Sequence, residues 1–538
     1  MKLAVAAALA LSAVSASWSS VLYVSHQVEP PSPDGLSWAT AFPTVQQGID
    51  AAQAGDEVWV AAGTYPENIT LKSGVGLYGG FVGNEESRDP RDPSVNISLL
   101  DGQSKGTVII IAADATSATV VDGFDIEHGY GLIATSDGRG GGIYVKGGTP
   151  IISNNVITNC SAQSSRTSAS LGGGIYVDDG KPLIAGNRIS YCYATTGGGV
   201  GNWGGGLIRD NVFSHNGAIG SDPGSGEGGA IEAWGLLATV MVHNIFEGNS
   251  SYGGYGGAIN CANGVVMDNL FIDNPAFEGA SLYSAWVGTI VRNTFLDDTG
   301  PDSYYEVLFG GGVFKDNVIA VSGVSVGLDL GRTWNGSAGG AEPVISNNTI
   351  VQLGSGEPVA VTFSFHSGEK PVFSNNIITG WANAGWMNTL STGAVMTTDH
   401  NDIFGNGDNT LPFPGATQIG AAGNISLAPL FVDGAGGDYR LQAGSPCIDA
   451  GNDAYIASDA RDLANAPRIA GAHVDIGAYE NGSPAYTMLD AAEVLRIAAG
   501  ISVSTPANVS RLDLVQETPG TTALTVADAT RIAQWLLN

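Results

Sequence analysis

The most regular feature of the chain is an Asn that is followed, two residues later, by Ile or Phe. The pair occurs ten times, at intervals of 24 to 33 residues. The residue between the two has no fixed character, so side chains alternate between a core side and an outer side, as in a β-strand. The pattern predicts one short strand per repeat. The ten Asn residues are Asn155, Asn187, Asn211, Asn244, Asn269, Asn293, Asn317, Asn348, Asn376 and Asn401.

A second apolar row lies three residues before the repeat Asn, from Ile152 to Phe373, and only the tenth copy departs from it, with Thr398. This row predicts a second strand, joined to the first by a turn at the Asn. Asn tolerates left-handed backbone, and its amide can bond to the amide one repeat along. A repeat of about 24 residues cannot bury its own apolar row, whereas stacked repeats can.

We therefore predict an all-β chain that folds as a right-handed parallel β-helix, a solenoid with roughly 13 coils over residues 57–430. Equivalent residues of neighbouring coils are expected to stack about 4.8 Å apart. Four equivalent positions hold Phe213, Phe246, Phe271 and Phe295, which predicts an aromatic stack inside the solenoid.

A third apolar row follows Gly-rich segments such as GGGIY at 172–176 and GGAIE at 228–232. Gly allows a tight corner with positive φ, so these segments predict coil corners that precede a further strand. A phosphate-binding loop is not indicated, because no Gly-Lys-Ser/Thr follows them. The apolar members of the row are Ile143, Ile175, Val200, Ile231 and Ile259.

Composition agrees with a solenoid and excludes other classes. Gly accounts for 78 of the 538 residues, without the three-residue period of collagen. A hydrophobic content of 43% argues against a disordered chain. The 21 basic and 51 acidic residues give a net charge of −30, which argues against nucleic acid as a partner, because phosphate binding needs clustered Lys and Arg.

The N-terminus has the pattern of a secretory signal peptide over residues 1–16, with Lys2 before the apolar residues 3–14. No later run of about 18 apolar residues follows, so no transmembrane segment is expected. We predict a secreted protein, extracellular or at the cell surface. Residues 17–56 are expected to form an N-terminal cap whose helix buries Val45, Ile49 and Ala52.

The chain resembles secreted bacterial right-handed β-helix proteins of the pectate-lyase-like superfold. Residues 35–71, the repeats and the segment DYRLQAGSPCIDAGN at 438–452 carry the likeness. The last of these, with residues 475–480, is similar to the closing part of β-helix proteins that have variable C-terminal anchors. Residues 431–482 are therefore expected to close the solenoid. The superfold implies an architecture but hosts lyases, hydrolases, adhesins and structural proteins.

Residues 483–538 resemble a degenerate dockerin, a module of paired EF-hand-like helices. Two similar helical patterns begin near Asp490 and Asp528. A calcium loop needs Asp or Asn at several alternating positions, but only Glu517 stands close before the second pattern. The resemblance implies calcium and a protein partner for this module, whereas the residues themselves favour a small helical hairpin. No other cofactor or metal is predicted.

Aligning the Gly-rich corners places candidate chemistry on one outward face of the coils. Sugar rings stack on aromatic faces, and the candidate substrate-binding residues are Tyr144, Tyr176, Trp203 and Trp234. The candidate catalytic residues are Lys146, Asp178, Glu232 and Arg139. The acids suit acid–base chemistry, and Lys146 or Arg139 could be the base of a lyase. The structural alternatives are rings packed beneath loops and an ordinary surface ion pair between Asp178 and Lys146.

Two of the four cysteines have related positions. Cys160 and Cys192 each lie five residues after a repeat Asn, so they should stack on adjacent coils within disulfide reach. A bridge and two stacked thiols are both compatible with this spacing. His243 and His400 each precede a repeat Asn and are expected to line the turn.

Three functions are compatible with these features. The first is recognition of a polysaccharide or cell-surface glycan by a binding or adhesion module. The second is a polysaccharide lyase or glycoside hydrolase on the same β-helix. The third is a purely structural surface component.

Overall fold

The computed structural model describes residues 20–28, 31–131, 138–162, 170–220, 226–235, 238–296, 303–331, 343–354, 358–365, 369–387, 395–411 and 419–483. The predicted signal peptide and the predicted helical module, apart from Ser483, lie outside these ranges. The interpretations of both segments therefore stay predictions.

The described strands form parallel ladders, in which each strand pairs with its counterpart one coil along. Three long ladders enclose one continuous apolar core. This is the predicted parallel β-helix, and the 13 strands of the third ladder match the predicted number of coils. The fold follows from repetition, because an identical apolar row in every coil can be buried only against the neighbouring coils.

The first ladder includes the strands that follow the Gly-rich corners, and the second includes those that precede the repeat Asn. The first ladder comprises Ile69–Leu71, Ile109–Ile111, Ile143–Val145, Ile175–Val177, Val200–Asn202, Ile231–Ala233, Ile259–Cys261, Val326–Leu330, Val359–Phe363 and Asn383–Met387. The second comprises Val21–Val24, Glu57–Ala61, Gly76–Phe81, Val120–Asp122, Ile151–Ser153, Leu183–Ala185, Gly206–Arg209, Thr239–Val242, Gly264–Met267, Val344–Ser346, Val372–Ser374 and Thr397–Asp399. Two long strands, Leu282–Val291 and Tyr305–Lys315, run through both ladders.

The third ladder begins directly after the repeat Asn, and a short fourth ladder follows it in six coils. The third comprises Gly63–Tyr65, Ser98–Asp101, Asp125–Glu127, Val156–Thr158, Arg188–Ser190, Val212–Ser214, Ile245–Glu247, Leu270–Ile272, Thr294–Leu296, Val318–Val321, Thr349–Gln352, Ile377–Thr379 and Asp402–Phe404. The fourth comprises Tyr130–Gly131, Ser161–Ala162, Tyr193–Ala194, Gly217–Ile219, Ser250–Tyr255 and Ala276–Glu278.

A short helix, Val45–Ala51, covers the N-terminal end of the core. Val45, Ile49 and Ala52 are buried there, as the sequence predicts. The Thr44 hydroxyl caps the helix by accepting a hydrogen bond from the backbone N–H of Gln47. Three 3-10 turns, Trp38–Thr40, Gly434–Gly436 and Asp453–Tyr455, and an antiparallel hairpin of Phe431–Asp433 with Asp438–Leu441 complete the described elements.

The interior contains the predicted aromatic stack. Phe213, Phe246, Phe271 and Phe295 are fully buried, with successive ring centroids 5.1, 4.8 and 4.6 Å apart and nearly parallel planes. One coil advances by about 4.8 Å, so the rings meet in an offset stack without distortion of the strands.

The repeat Asn residues form a continuous hydrogen-bonded ladder inside the turn, as predicted. Asn269 is typical: its Oδ1 accepts from both the backbone N–H and Nδ2 of Asn244, at 2.8 and 3.0 Å. Its own Nδ2 donates to Met241 O and to Asn293 Oδ1. The ladder ends at Asn424, which the Asn-x-Ile/Phe pattern misses, because a Ser stands two residues after it.

A second, shorter ladder contains Asn216, Asn249 and Asn274, each five residues after a repeat Asn. Cys192 and Cys160 occupy the same offset one and two coils before Asn216. Both thiols are free and buried, so the spacing produces two stacked thiols. Cys160 Sγ lies 3.8 Å from the Ile126 carbonyl oxygen, and Cys192 Sγ lies 3.7 Å from that of Ile157. In the next coil, the Nδ2 of Asn216 donates to the equivalent carbonyl, that of Ile189.

The closing segment packs against the outside of the Asn turns through a buried charge cluster. Arg468, which is 1% exposed, lies 3.3 Å from Asp316 Oδ1 and 3.7 Å from Glu480 Oε1. Burial raises the pKa of Asp316 to about 6 and the pKa of Glu480 to about 8. The Cys447 thiol donates to Asp402 of the solenoid at 3.2 Å. The closing segment is thus joined to the coils by polar contacts as well as apolar ones.

Candidate functional site

The first ladder is preceded by the same sharp corner in six successive coils. Its left-handed Gly has φ between +55° and +65° at Gly140, Gly172, Gly197, Gly228, Gly256 and Gly279. A Cβ on Gly172 would stand 2.2 Å from the carbonyl oxygen of Ile175, so the corner also requires the absence of a side chain. Because the chain bends sharply at this Gly, the residue directly before it lies beside the outer face of the strand that follows. Those residues form a corner column, which contains Arg139, Leu171, Thr196, Glu227, Tyr255 and Glu278.

Two further columns lie on the outer face of this ladder. The outer column contains Tyr144, Tyr176, Gly201, Glu232, Asn260 and Tyr283, which pair in register along successive coils. The edge column, two residues later, contains Lys146, Asp178, Trp203 and Trp234. The backbone N–H groups of Asp178 and Trp203 continue the ladder hydrogen bonds into the edge column. The alignment of the Gly-rich corners therefore gave the correct register.

At the N-terminal end of these columns, Asp178 is held by three donors. Arg139 lies 2.7 Å from Asp178 Oδ2, the Tyr144 hydroxyl donates to the same oxygen at 2.8 Å, and the Tyr176 hydroxyl donates to Oδ1 at 3.2 Å. The Arg139 guanidinium also stands 5.5 Å above the Tyr176 ring. Arg139 Nη1 and Asp178 thus form an ion pair, while the buried Arg139 Nε has no hydrogen-bond partner.

This cluster departs from the sequence-based picture in two ways. The ion-pair partner of Asp178 is Arg139, whereas Lys146 is exposed and lies 5.9 Å from the Tyr144 ring. Tyr176 is 1% exposed, so its ring packs beneath Arg139 and offers no face to a sugar. The corner column is the physical reason, because it brings Arg139 over the outer column.

Glu232 lies in the outer column three coils after Tyr144. It is buried, with 3% of its surface exposed. Burial raises the pKa of its carboxyl to about 8, and the neighbouring Glu227 carboxylate adds to the increase. The side chains of Trp203 and Thr196 oppose the increase only in part. Glu232 therefore carries a proton at neutral pH and can donate it, or a hydrogen bond, to a ligand.

Several buried polar atoms around Glu232 have no hydrogen-bond partner. They are Glu232 Oε2, Trp234 Nε1 and both polar side-chain atoms of Asn260. Asn260 pairs in register with Glu232 on the next coil and is 1% exposed. Each buried polar group without a partner costs about 1–3 kcal/mol. Their concentration at one place indicates a site where a polar ligand completes the hydrogen bonds.

Exposed indole rings flank this polar cluster. Trp203 and Trp286 each expose 49% of their surface, and Trp286 packs edge-on against Trp234 with ring centroids 6.0 Å apart. Trp234 is half-buried. Trp203 stands in the edge column one coil before Glu232, and its side chain hydrogen-bonds to the Glu232 carboxyl, so exposed indole rings border the polar cluster.

Sequence reasoning did not select Asn260, and it missed the corner column. The position of Thr196 and Glu227 was visible in the sequence, because each residue stands directly before the first Gly of a Gly-rich corner. The function of that position was not readable, because its side chain meets the outer column only after the corner has formed.

The structure also has a cleft of about 580 Å³ on a different face, between residues 88–94 and the turns near Asn154 and Gly186. Two of its cations are paired, Arg88 with Glu57 and Arg91 with Asp122, and Asp125 and Arg188 also line it. None of its lining side chains is a buried polar group without a partner. We therefore place the candidate site at Glu232 and Asn260 and not in this cleft.

Within the described ranges, no group of three or more His, Cys, Asp or Glu residues could hold a metal ion. The same residues include no helix of the length and hydrophobicity needed to cross a bilayer. The segment for which calcium was considered, residues 483–538, lies almost entirely outside the described chain.

Comparisons with known proteins address the fold. No curated protein shows significant sequence similarity to the chain. Among solved structures, the pectate lyase Pel9A is similar over 87% of this chain and 97% of its own, with 15% sequence identity and a TM-score of 0.34. Residues 110–256, which contain Arg139, Asp178, Trp203 and Glu232, match the family described as the right handed beta helix region.

Proposed function

We propose that this protein binds an uncharged polysaccharide on the outer face of the first ladder, centred on Glu232 and Asn260. The observation that carries the proposal is the combination of unpartnered buried donors and acceptors with exposed indole faces at the same place. A sugar ring presents an apolar face and a rim of hydroxyl groups. The indole faces suit the former, and the carboxyl, amide and indole N–H groups suit the latter.

The charges around Glu232 favour a neutral ligand over a polyuronate. Glu227 lies beside Glu232, and the whole chain has a net charge of −30. Among the described residues of the corner, outer and edge columns, the cations are Arg139, which is paired with Asp178, and Lys146. Both belong to the coil three steps before Glu232, about 14 Å away. That distance exceeds the screening length of about 8 Å at physiological ionic strength.

The proposal is tested by binding to a panel of uncharged glucans, xylans, mannans and galactans, with polygalacturonate as the charged counterpart. We expect binding to at least one neutral polymer, and loss of most of that affinity in the Trp203→Ala, Trp234→Ala double variant. Leu353→Ala is the matched control, because Leu353 is a comparably exposed apolar residue remote from the site (46%). Binding that survives the double variant would reject the site, and no binding to any polymer would favour a structural component.

A second candidate function is glycoside hydrolysis with Glu232 as the proton donor. The specific observation is a carboxyl that is protonated at neutral pH beside a second carboxylate, Glu227. This is the division of roles that acid–base hydrolysis of a glycosidic bond requires. A lyase is less well supported, since Arg139 is already paired with Asp178.

The hydrolase is tested by release of reducing ends from the polymer that binds. Glu232→Gln should abolish the release while retaining binding, because Gln keeps the shape and hydrogen-bonding capacity of the side chain. New ultraviolet absorbance from 4,5-unsaturated uronates would instead reveal a lyase. Binding without either product would leave the protein as a binding or adhesion module.

We also infer that the protein acts outside the cell. The support is the signal-peptide pattern of residues 1–16. Mass spectrometry of the mature protein should find its N-terminus at or near Ser17. A polypeptide that retains Met1 or Lys2 in the culture supernatant would contradict cleavage.

A further inference from the structure

A row of exposed apolar side chains runs along the fourth ladder, on the opposite side of the corner column from Glu232. Its members are Tyr193, Ile219, Tyr252, Phe277 and Tyr304, and they expose between 41% and 76% of their surface. We call this row the apolar stripe. It contains none of the residues of the proposed site, and sequence reasoning did not identify it.

The stripe is regular because the ladder fixes it. Tyr193 pairs with Gly217, two residues before Ile219, and Ile219 pairs directly with Tyr252. Phe277 follows Ala276 as Tyr252 follows its partner Ser251. The Tyr304 N–H then donates to the Phe277 carbonyl. Five consecutive coils thus each present one apolar side chain, over a length of about 19 Å.

Exposure on this scale calls for a binding partner. A soluble protein rarely leaves a contiguous apolar row in water without function. Ser or Thr would fit these outward strand positions equally well. Along this ladder, position 277 requires only an outward side chain beside the buried Ala276. The Phe at that position has no role in the core.

We propose that the apolar stripe is a second binding surface, on which an uncharged glycan strand lies parallel to the axis of the β-helix. The three members in register, Ile219, Tyr252 and Phe277, lie about 4.8 Å apart, which matches a linear polymer that offers one sugar face after another. Glu227 and Glu278 of the corner column stand beside the stripe and make its surroundings acidic.

The area and charge of the surface disfavour a second copy of the chain. Five partly exposed side chains in a single row offer roughly 550 Å², whereas a stable dimer needs about 800 Å² from each partner. The net charge of −30 on each copy adds repulsion. The same acids of the corner column also disfavour a polyanionic ligand.

This inference extends the proposed function to a second surface, and its test uses the full chain. The probe is the neutral polysaccharide that binds best to the wild type, and the variant is Tyr252→Ser with Phe277→Ser. We expect at least tenfold weaker binding to the long polymer and little change for a short oligosaccharide, which occupies one surface only. Leu353→Ser with Leu427→Ser is the control, because both residues are exposed apolar side chains elsewhere (46% and 52%).

The outcomes separate the two proposals. Unchanged polymer affinity in the stripe variant, together with loss in the Trp203→Ala, Trp234→Ala variant, overturns the stripe and leaves the first site standing. Absence of glycan binding in the wild type overturns both. A wild-type dimer in sedimentation that becomes monomeric in the stripe variant also overturns the inference, because the occupant is then a second copy. Unchanged thermal unfolding of the variant confirms that the fold is intact.

Discussion

Replacement of the buried acid Glu232 by Gln should change the pH dependence of stability in a defined direction. The folded state raises the pKa of this carboxyl from 4.5 to about 8. Between these values the folded chain holds a proton that the unfolded chain has lost. Rising pH therefore destabilises the fold in this window, by about 1.4 kcal/mol per pH unit. The stabilising effect of the protonated carboxyl is present below pH 4.5 and is lost progressively up to pH 8.

From pH 5 to pH 8 this difference amounts to about 3–4 kcal/mol, since the carboxyl is fully buried and solvent screening is small. Glu232→Gln removes the titration but keeps the volume and polarity of the side chain. We expect the variant to gain that amount relative to wild type over the interval. Urea unfolding monitored by Trp fluorescence at pH 5, 6, 7 and 8 measures it.

The comparison isolates Glu232, because Asp316, Asp402 and Glu480, whose pKa values burial also raises, titrate equally in both proteins. Glu86→Gln is the control, since Glu86 is an exposed acid. Stability curves of wild type and Glu232→Gln that run parallel from pH 5 to pH 8 would refute the reasoning. They would mean that Glu232 is ionised or solvated in the folded protein.

Three further predictions concern the scaffold. Asn269→Ala should cost at least about 3 kcal/mol in urea unfolding, because it leaves buried groups on two neighbouring coils without partners, whereas the exposed Asn84→Ala should cost little; equal effects would contradict the ladder. Gly172→Ala should destabilise the protein by at least about 2 kcal/mol more than Gly55→Ala, since both have positive φ but only Gly172 lacks room for a Cβ; thermal unfolding of the two variants decides it. Cys160 and Cys192 should resist a thiol reagent in the native protein and react with it after unfolding in urea; rapid native labelling, counted by mass spectrometry, would contradict their burial.

The fold was predictable because most coils repeat the same residue types at the same spacing. An Asn, an Ile or Phe two residues later and a Gly before the next strand determine the turn, the inward row and the corner. The Asn turn and the inward row recur in ten coils and the Gly corner in six, so the pattern is visible in the sequence. Cys160 could also have been understood, because Asn216 and Asn249 share its offset from a repeat Asn.

The site was less predictable because it depends on side chains from different coils. Tyr176 carries an aromatic ring at a predicted outward position, but Arg139, which lies 37 residues earlier, covers that ring. Asp178 pairs with Arg139, and Glu227 raises the pKa of Glu232, only because the corners place Arg139 and Glu227 next to the outer and edge columns. The repeat spacing in the sequence does not reveal the distances between side chains of the corner, outer and edge columns.

The Asn ladder makes the coil an interchangeable unit. Every repeat Asn receives the same bonds from the coil before and gives the same bonds to the coil after, with a left-handed residue such as Asp268 or Arg292 directly before it. Removal of residues 269–292 would join Asp268 to Asn293 and restore an identical turn, with Phe295 in the place of Phe271. The length of the solenoid is thus adjustable in whole coils without redesign of the junction.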